Sequence, residues 1–474
     1  MILVDTTIVS VANPAIKEAL DPNSNNLDRV VWVTSAYLLA YAVPLLITGR
    51  LGDRFGPKNI YLVGLAIFTL ASLWCGLSTT LDGLIWARAA QGIGAALLTP
   101  QTMAVITRTF PPEHRGAAMG LWGGASGVAM LVGPLAGGFL VDGLGWEWIF
   151  FINLPVGVVG FVLACILVPK LETHKHRFDI PGVFLSAIAM FLIVFGLQEA
   201  EAYDWGVIWG PISVWGLIIA GVVVLGLFLW YQSRTKNEPL VPMELFRNRN
   251  FAWSNITIVT VGFTVTAQGL PLMFFLQTAR GLSPTEAALL LIPMAIAAGV
   301  VSPFAGQLLD RIDPRVMLVP GLLLVSLSLF LFAAMMNVDT PIGWLLIPSA
   351  ILGFGNAGMW GPLATTATRD LPMHQAGAGA GIYNTMRTIG SVLGSAAIAV
   401  FMQSRLVANL PGAEEASGGF GEGQMPDAVA GPFAEAMAQT MLMPAAVILL
   451  GVAAVLFLRR PAHLGVRNKG VRNK

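Results

Sequence analysis

Two ionisable side chains stand where a folded chain tolerates them least. Asp5 lies in the apolar stretch that opens the sequence, and Arg88 lies in the apolar run 84–106. A charge inside hydrocarbon costs about 2.5–3.5 kcal/mol on insertion scales, so such residues are functional candidates by default. Burial drives an aspartate towards its neutral form, and a neighbouring arginine drives it back. An aspartate caught between these forces changes protonation when its surroundings change, which is what proton coupling requires. Asp5 is the candidate proton carrier and Arg88 its partner or modulator. A purely structural buried pair is the competing reading.

A second set of residues occurs twice. Gly49, Leu51, Asp53, Arg54, Pro57 and Lys58 match Gly306, Leu308, Asp310, Arg311, Pro314 and Arg315 in type and in register. In the first copy, Gly49, Gly52 and Gly56 permit a tight turn and close helix approach. Asp53 can accept the free amides of a helix start in the opposite half. Arg54 and Lys58 can pair with acids or with lipid phosphates.

These residues need elements to hold them, and the composition says which. Of 474 residues, 55% are hydrophobic and only 11% charged, against roughly 25% charged in an average soluble protein. Mean hydropathy is +0.73. This excludes a soluble enzyme, a disordered chain and a nucleic-acid binder, since 27 Lys+Arg against 26 Asp+Glu leave no basic surplus for phosphates. Cys75 and Cys165 both sit in apolar runs, which gives neither a disulfide framework nor a metal cluster. No cofactor is expected.

Apolar runs of about 18 residues or more are candidate transmembrane helices. Fourteen are found, from 1–16 to 437–458. With the N-terminus in the cytoplasm, the loops on that side and the tail hold 21 of the 27 Lys+Arg, against 4 outside. The asymmetry follows the positive-inside rule and places both termini in the cytoplasm of a multi-pass cell (inner or plasma) membrane protein. The first run is short ahead of Asp5, so the first helix is expected to be truncated at its N-terminus. The segment 403–436 is expected to be a long, mobile outer loop.

The repeated motif follows span two and then span ten. Eight spans separate equivalent points where a duplicated six-helix unit would give six. Two helices have therefore been added, most simply spans seven (180–197) and eight (207–231). The expected architecture is all-α: a six-helix bundle at 1–168, a two-helix insert with flanking cytoplasmic loops at 169–250, and a second six-helix bundle at 251–474 with the outer loop and a cytoplasmic tail.

With these pieces in order, the sequence resembles the major facilitator superfamily, specifically the fourteen-span drug:proton antiporters of the EmrB/QacA type. The likeness covers essentially the whole chain. It is carried by Asp5–Pro14, the Gly49–Lys58 segment, Arg88 with Gln91, Gly92 and Gly94, the string Gly133, Pro134, Gly137 and Gly138, and Trp146, Trp148, Asn153 and Pro155 before span six. The resemblance implies that Asp5 is the proton-responsive carboxylate and that Gly49, Asp53, Arg54, Gly56 and Lys58, echoed by Asp310 and Arg311, latch the cytoplasmic side. It also implies that Gly133, Pro134, Gly137 and Gly138 form the antiporter motif, which marks export rather than import. Glycines at these spacings let helices meet closely, and Pro134 bends its helix.

The substrate cavity is expected near the midplane between the halves. Tyr37, Tyr41, Gln91, Gln101, Trp122, Gln268, Asn356, Trp360 and Asn384 are candidates for its polar and aromatic walls, although scattered aromatics also serve packing. Arg387 is the second base inside a span, and the neighbouring spans offer it no acid. Some members of the resembled family carry acids in spans ten or thirteen that help with divalent cations, so the resemblance implies that such cargo is disfavoured here, and Arg387 suits neutral or anionic molecules. Gly353, Gly355 and Gly358 mimic a dinucleotide fingerprint, but they lie within a span with no preceding strand. The chain is thus expected to be a transporter and not an enzyme: a proton-coupled multidrug exporter of amphipathic molecules working by alternating access. A dedicated metabolite or lipid exporter on the same fold is the alternative. The expected partners are the substrate, protons and membrane lipids, with no nucleic acid, and the chain is expected to be a monomer.

Overall fold

Inside hydrocarbon a backbone amide has no water to bond, so long apolar runs close their hydrogen bonds as helices. The computed structural model describes residues 1–20, 28–111, 114–171, 173, 179–200, 202–235, 239–410 and 427–460, and most of these are helical. Lys175, Arg177, His174, His176, the centre of the expected outer loop (411–426) and the tail beyond Arg460 lie outside the described residues.

Among the described residues, ten helical segments are long and apolar enough to cross a membrane. There are eleven if Arg29–Ala42 and Leu45–Phe55, which meet at 47°, form one span. The chain is therefore a multi-pass membrane protein. Fourteen spans were expected, and three further helices of spanning length are not among the eleven: α1 (Ile2–Leu20), α5 (Leu81–Thr109) and α6 (Arg115–Leu144). All three contain charged residues: Asp5, Lys17 and Glu18 in α1, Asp82, Arg88 and Arg108 in α5, and Arg115 and Asp142 near the ends of α6. The third is dense in glycine.

Several expected spans are broken where the sequence supplies a proline or glycine. Span two divides at Val43–Pro44 into α2 (Asp28–Ala42) and α3 (Leu45–Phe55). Then follow α4 (Pro57–Gly76), the short α7 (Trp148–Phe151) and α8 (Asn153–Leu167). The insert contributes α9 (Ile180–Gln198) and α10 (Val214–Arg234). Here the expected start of span eight at 207 is corrected. Residues 207–213 form an antiparallel hairpin, β1 (Val207–Trp209) with β2 (Ile212–Ser213), turned at Gly210–Pro211. The helix begins only where the Ser213 hydroxyl accepts from the Gly216 amide.

The remaining helices are α11 (Arg249–Ala267), α12 (Gly269–Phe274), α13 (Pro284–Leu289), α14 (Ile292–Leu309), α15 (Pro314–Met335), α16 (Leu346–Thr368), α17 (Ala376–Asn409) and α18 (Asp427–Leu456). The last two outrun their apolar stretches and shorten the expected loop 403–436 from both ends. The Asn409 amide fixes the end of α17, donating to the Arg405 carbonyl at 2.8 Å and to Gln439 Oε1 at 3.2 Å.

The chain divides into two compact units. One holds residues 1–112, 132–252 and 368–385; the other holds 113–131, 253–367 and 386–474. In the first, α4 lies along α5 so closely that a side chain at Gly94 would collide with the Phe68 backbone. Ile8, Val9, Ala12 and Ile16 of α1 pack with Val33, Leu84, Ala87 and Phe150 in one buried cluster. The insert helices pair with each other, and Trp32 of α2 meets Phe195 of α9 at 5.9 Å. In the second unit α15 lies along α18, where the Ser326 hydroxyl donates to the Ala445 carbonyl at 2.8 Å. Helices α11 and α17 cross with Gly262, Gly390 and Gly394 in the contact.

Candidate functional site

Asp5 and Arg88 come together in the first unit. Both side chains are fully buried, and Arg88 Nη1 lies 2.6 Å from Asp5 Oδ2. The other carboxylate oxygen, Oδ1, accepts from Gln91 Nε2 at 2.8 Å and from Asn153 Nδ2 at 2.9 Å. Arg88 Nη1 also donates to Gln91 Oε1, and Arg88 Nε donates to the Val33 carbonyl at 3.1 Å. Its guanidinium carbon stands 4.1 Å from the centre of the Tyr37 ring, a cation–π contact made without competing water. Among the described residues, Nη2 of Arg88 has no hydrogen-bond partner. Gln91 Nε2 reaches on to Ser72 Oγ at 2.8 Å, and that hydroxyl donates to the Phe68 carbonyl.

Local sequence explains each placement. Arg88 and Gln91 are three apart on α5 and share a face. Gly92 lets α2 approach, since a side chain there would strike the Tyr37 carbonyl; this seats Tyr37 under Arg88. Gly133 does the same for α1, because any larger residue would hit Thr7 Oγ1, two residues from Asp5. Asn153 is the first residue of α8, aimed inward by the short turn of α7. Gly137 is buried and Gly138 half-buried on the same helix as Gly133; the Pro134 side chain lies outside the described set.

The repeated motif also closes on partners. Asp53 is not in a loop, as its sequence context suggested, but in the last turn of α3. Only Gly56, with φ +88°, turns the chain into α4. The Asp53 carboxylate accepts from the Gly377 and Ala378 amides, both at 2.9 Å. These are among the free amides at the start of α17. One turn back, Gly49 and Gly377 meet so tightly that neither could carry a side chain. In the second unit Asp310 accepts from the Gly116 and Ala117 amides at 2.9 and 3.2 Å, at the start of α6, with Gly306 against Gly116.

The two aspartates thus cap two helix starts in the same way, and each is backed by a glycine four residues earlier. The receiving pairs, Gly116 with Ala117 and Gly377 with Ala378, were not among the residues expected from the sequence. Their signal was the shared spacing of Gly116 with Gly120 and Gly377 with Gly381, each at a helix start.

Lys58 closes on backbone carbonyls. Its ammonium donates to the Cys165 and Val168 carbonyls at 2.7 and 2.6 Å, capping the C-terminus of α8. Arg54 is half-buried, 5.1 Å from the Phe55 ring centre, and Arg311 is exposed. Beside the second motif, partial burial alone would push the Asp313 carboxyl up. The Arg315 guanidinium and amide that bond it outweigh this and hold it below the usual carboxylate range.

The expected cavity residues fall in both units. Tyr37 and Tyr41 are buried and stack at 6.3 Å, with Gln91 beside them in the Asp5 network. Gln101 is buried, donating to the Thr48 carbonyl at 2.7 Å and so tying α5 to α3. Asn384 is buried and donates to the Ala380 carbonyl one turn back. In the second unit Trp122 and Trp360 are half-buried, and Gly123 packs against the Trp360–Gly361 segment. Asn356 is buried, Gln268 stands at the break between α11 and α12, and Arg387 is half-buried beside the α11 crossing. No group of three or more metal-ligating side chains is found among the described residues.

A helical membrane protein with a buried ion pair in one unit and a twice-used aspartate cap defines a class. Residues 1–395 match the Major Facilitator Superfamily, and the chain belongs to this superfamily of membrane transporters. An uncharacterized MFS-type transporter of Mycobacterium tuberculosis, Rv1250, is 50% identical over 97% of this chain and 79% of its own length. The tetracenomycin C resistance and export protein of Streptomyces glaucescens is 34% identical over 86% of this chain and 74% of its own. Among solved structures, the human organic anion transporter MFSD10 (TETRAN) superposes with a TM-score of 0.60 over 96% of each chain. At 13% identity that is a likeness of fold.

Proposed function

We propose that this transporter is a proton-coupled exporter of amphipathic small molecules, of the fourteen-span drug:proton antiporter type, with both termini in the cytoplasm. The observation that carries this reading is the fully buried Asp5–Arg88 pair, closed by Gln91 and Asn153. A pair of this kind is weak evidence for stability, because well-packed apolar residues are often as stable in its place. Its use lies in being breakable. A proton on Asp5 cancels the charge that holds Arg88, and the hydrogen bonds around it must rearrange.

In this account Asp5 takes its proton from outside and releases it inside. Substrate leaves in exchange through a cavity exposed to each face in turn. Asp53 and Asp310 hold the starts of α17 and α6 in one state and release them in the other. Gly133, Pro134, Gly137 and Gly138 set the direction as export. Each charge crossing the membrane potential contributes about 2.3 kcal/mol per 100 mV. Arg387, the base of the second unit, favours neutral or anionic cargo.

The relative named for tetracenomycin C export supports a second reading, a dedicated exporter of one metabolite or lipid on the same fold. Inverted membrane vesicles with an imposed pH gradient separate the two. Ethidium, Nile red and carboxyfluorescein serve as cationic, neutral and anionic probes. A broad exporter moves more than one of them. A dedicated exporter moves none, and its deletion strain accumulates one compound. No gradient-driven movement and no accumulated compound would overturn both readings.

A further inference from the structure

The two oxygens of the Asp5 carboxylate have different surroundings. We infer that Gln91 and Asn153 fix which oxygen is protonated, with Asn153 acting as a positioning residue for that step. This rests on the reading of Asp5 as the proton carrier.

A carboxylate oxygen offers two in-plane lone pairs. Those of Oδ1 are both engaged, by Gln91 Nε2 at 2.8 Å and by Asn153 Nδ2 at 2.9 Å. Among the described residues Oδ2 has one donor, Arg88 Nη1 at 2.6 Å. The incoming proton therefore bonds Oδ2, on the free lone pair. Oδ1 becomes the carbonyl oxygen and keeps both amide donors. The new O–H is a donor itself and neutralises the carboxylate, so the bond from Arg88 to Oδ2 loses its anionic acceptor and weakens. Arg88 is then held by the Val33 carbonyl, Gln91 Oε1 and the Tyr37 ring.

Asn153 is thus the fixed point of the step and Arg88 the moving part. Asn153 suits this role. It is uncharged, buried, and the first residue of α8, so the anchor belongs to a helix that carries neither Asp5 nor Arg88. Among the described residues, the charged and titratable groups that interact with the carboxyl are Arg88 from α5, the Cys75 thiol from α4 and the amino group of Met1 on its own helix, with the Tyr37 ring of α2 against the Arg88 guanidinium. From α8 the neutral Asn153 amide reaches it.

The test is an infrared pH titration of the full chain in phosphatidylcholine liposomes. The C=O band of protonated Asp5 is assigned by its loss in Asp5→Asn. In Asn153→Leu the carbonyl loses one donor, so this band is expected at higher frequency. Its pH midpoint is expected about one unit higher, a tenfold change in proton affinity for one hydrogen bond. Asn153→Ser, which empties the site rather than filling it, is expected to shift both in the same direction and serves if the leucine variant does not accumulate. An unmoved band and an unmoved midpoint in an accumulating variant overturn the role of Asn153 alone. Absence of any titrating band that Asp5→Asn removes overturns the proton-carrier reading as well.

Discussion

Asp53 and Asp310, 257 positions apart, make the same contact: each carboxylate bonds the first free amides of a helix, Gly377 and Ala378 for one, Gly116 and Ala117 for the other. They are not equal. Asp53 is almost wholly buried with two 2.9 Å bonds, and Asp310 is slightly more open with one bond of 3.2 Å. Asp53→Ala is expected to cost about 2–4 kcal/mol of stability and Asp310→Ala about 1–2 kcal/mol. Thermal unfolding in detergent reads both. Equal losses, or the reverse order, would contradict the ranking.

The glycines behind these caps are required by contact and not by turn geometry. A methyl group at Gly49 would overlap the Gly377 carbonyl, whereas one at Gly143 would meet nothing within 4 Å. Gly49→Ala is expected to lower the melting temperature and the yield of folded protein, costing about 1–3 kcal/mol from overpacking. Gly143→Ala is expected to be neutral or slightly stabilising. A harmless Gly49→Ala would show that the helices have room to separate.

Much of this site was legible in the sequence, and the physical reason is charge. Asp5 and Arg88 stood out because hydrocarbon admits few ions, and Asp53 and Asp310 because their motif repeats. Asn153 and Ser72 were not read as site residues, because uncharged polar residues are common in membrane helices and bond their own backbone without further purpose. The carbonyl partners of Lys58 were not legible. Those belong to the end of α8, 107 or more residues away, which no local pattern reveals. The spans were legible as apolar runs, but their breaks at Pro44 and Gln268–Gly269 and the hairpin at 207–213 depend on packing and turn chemistry.

Lys58 gives a graded prediction. Replacing its ammonium by an uncharged chain in Lys58→Met removes a favourable charge at the C-terminus of α8, for about 0.3–1 kcal/mol. Lys58→Glu is expected to cost more, since like charges then face the same carbonyls. Melting temperatures should fall in the order wild type, Lys58→Met, Lys58→Glu. A glutamate variant as stable as wild type would show that the contact contributes nothing.

Arg88 is expected not to tolerate lysine. Its guanidinium bonds Asp5, Gln91 and the Val33 carbonyl at once and lies over the Tyr37 ring. A lysine keeps the charge but not this planar fork. Arg88→Lys is expected to lose about 1–3 kcal/mol of stability and most of its proton-driven transport. Full transport by Arg88→Lys would mean that positive charge alone suffices.

The most direct test of the account is transport by proteoliposomes carrying an imposed pH gradient, comparing the wild-type chain with Asp5→Asn at equal amounts of folded protein. The assay uses a probe that the wild type moves. The account predicts gradient-driven movement by the wild type and only the background of empty liposomes for Asp5→Asn. Equal gradient-driven transport by both would contradict it.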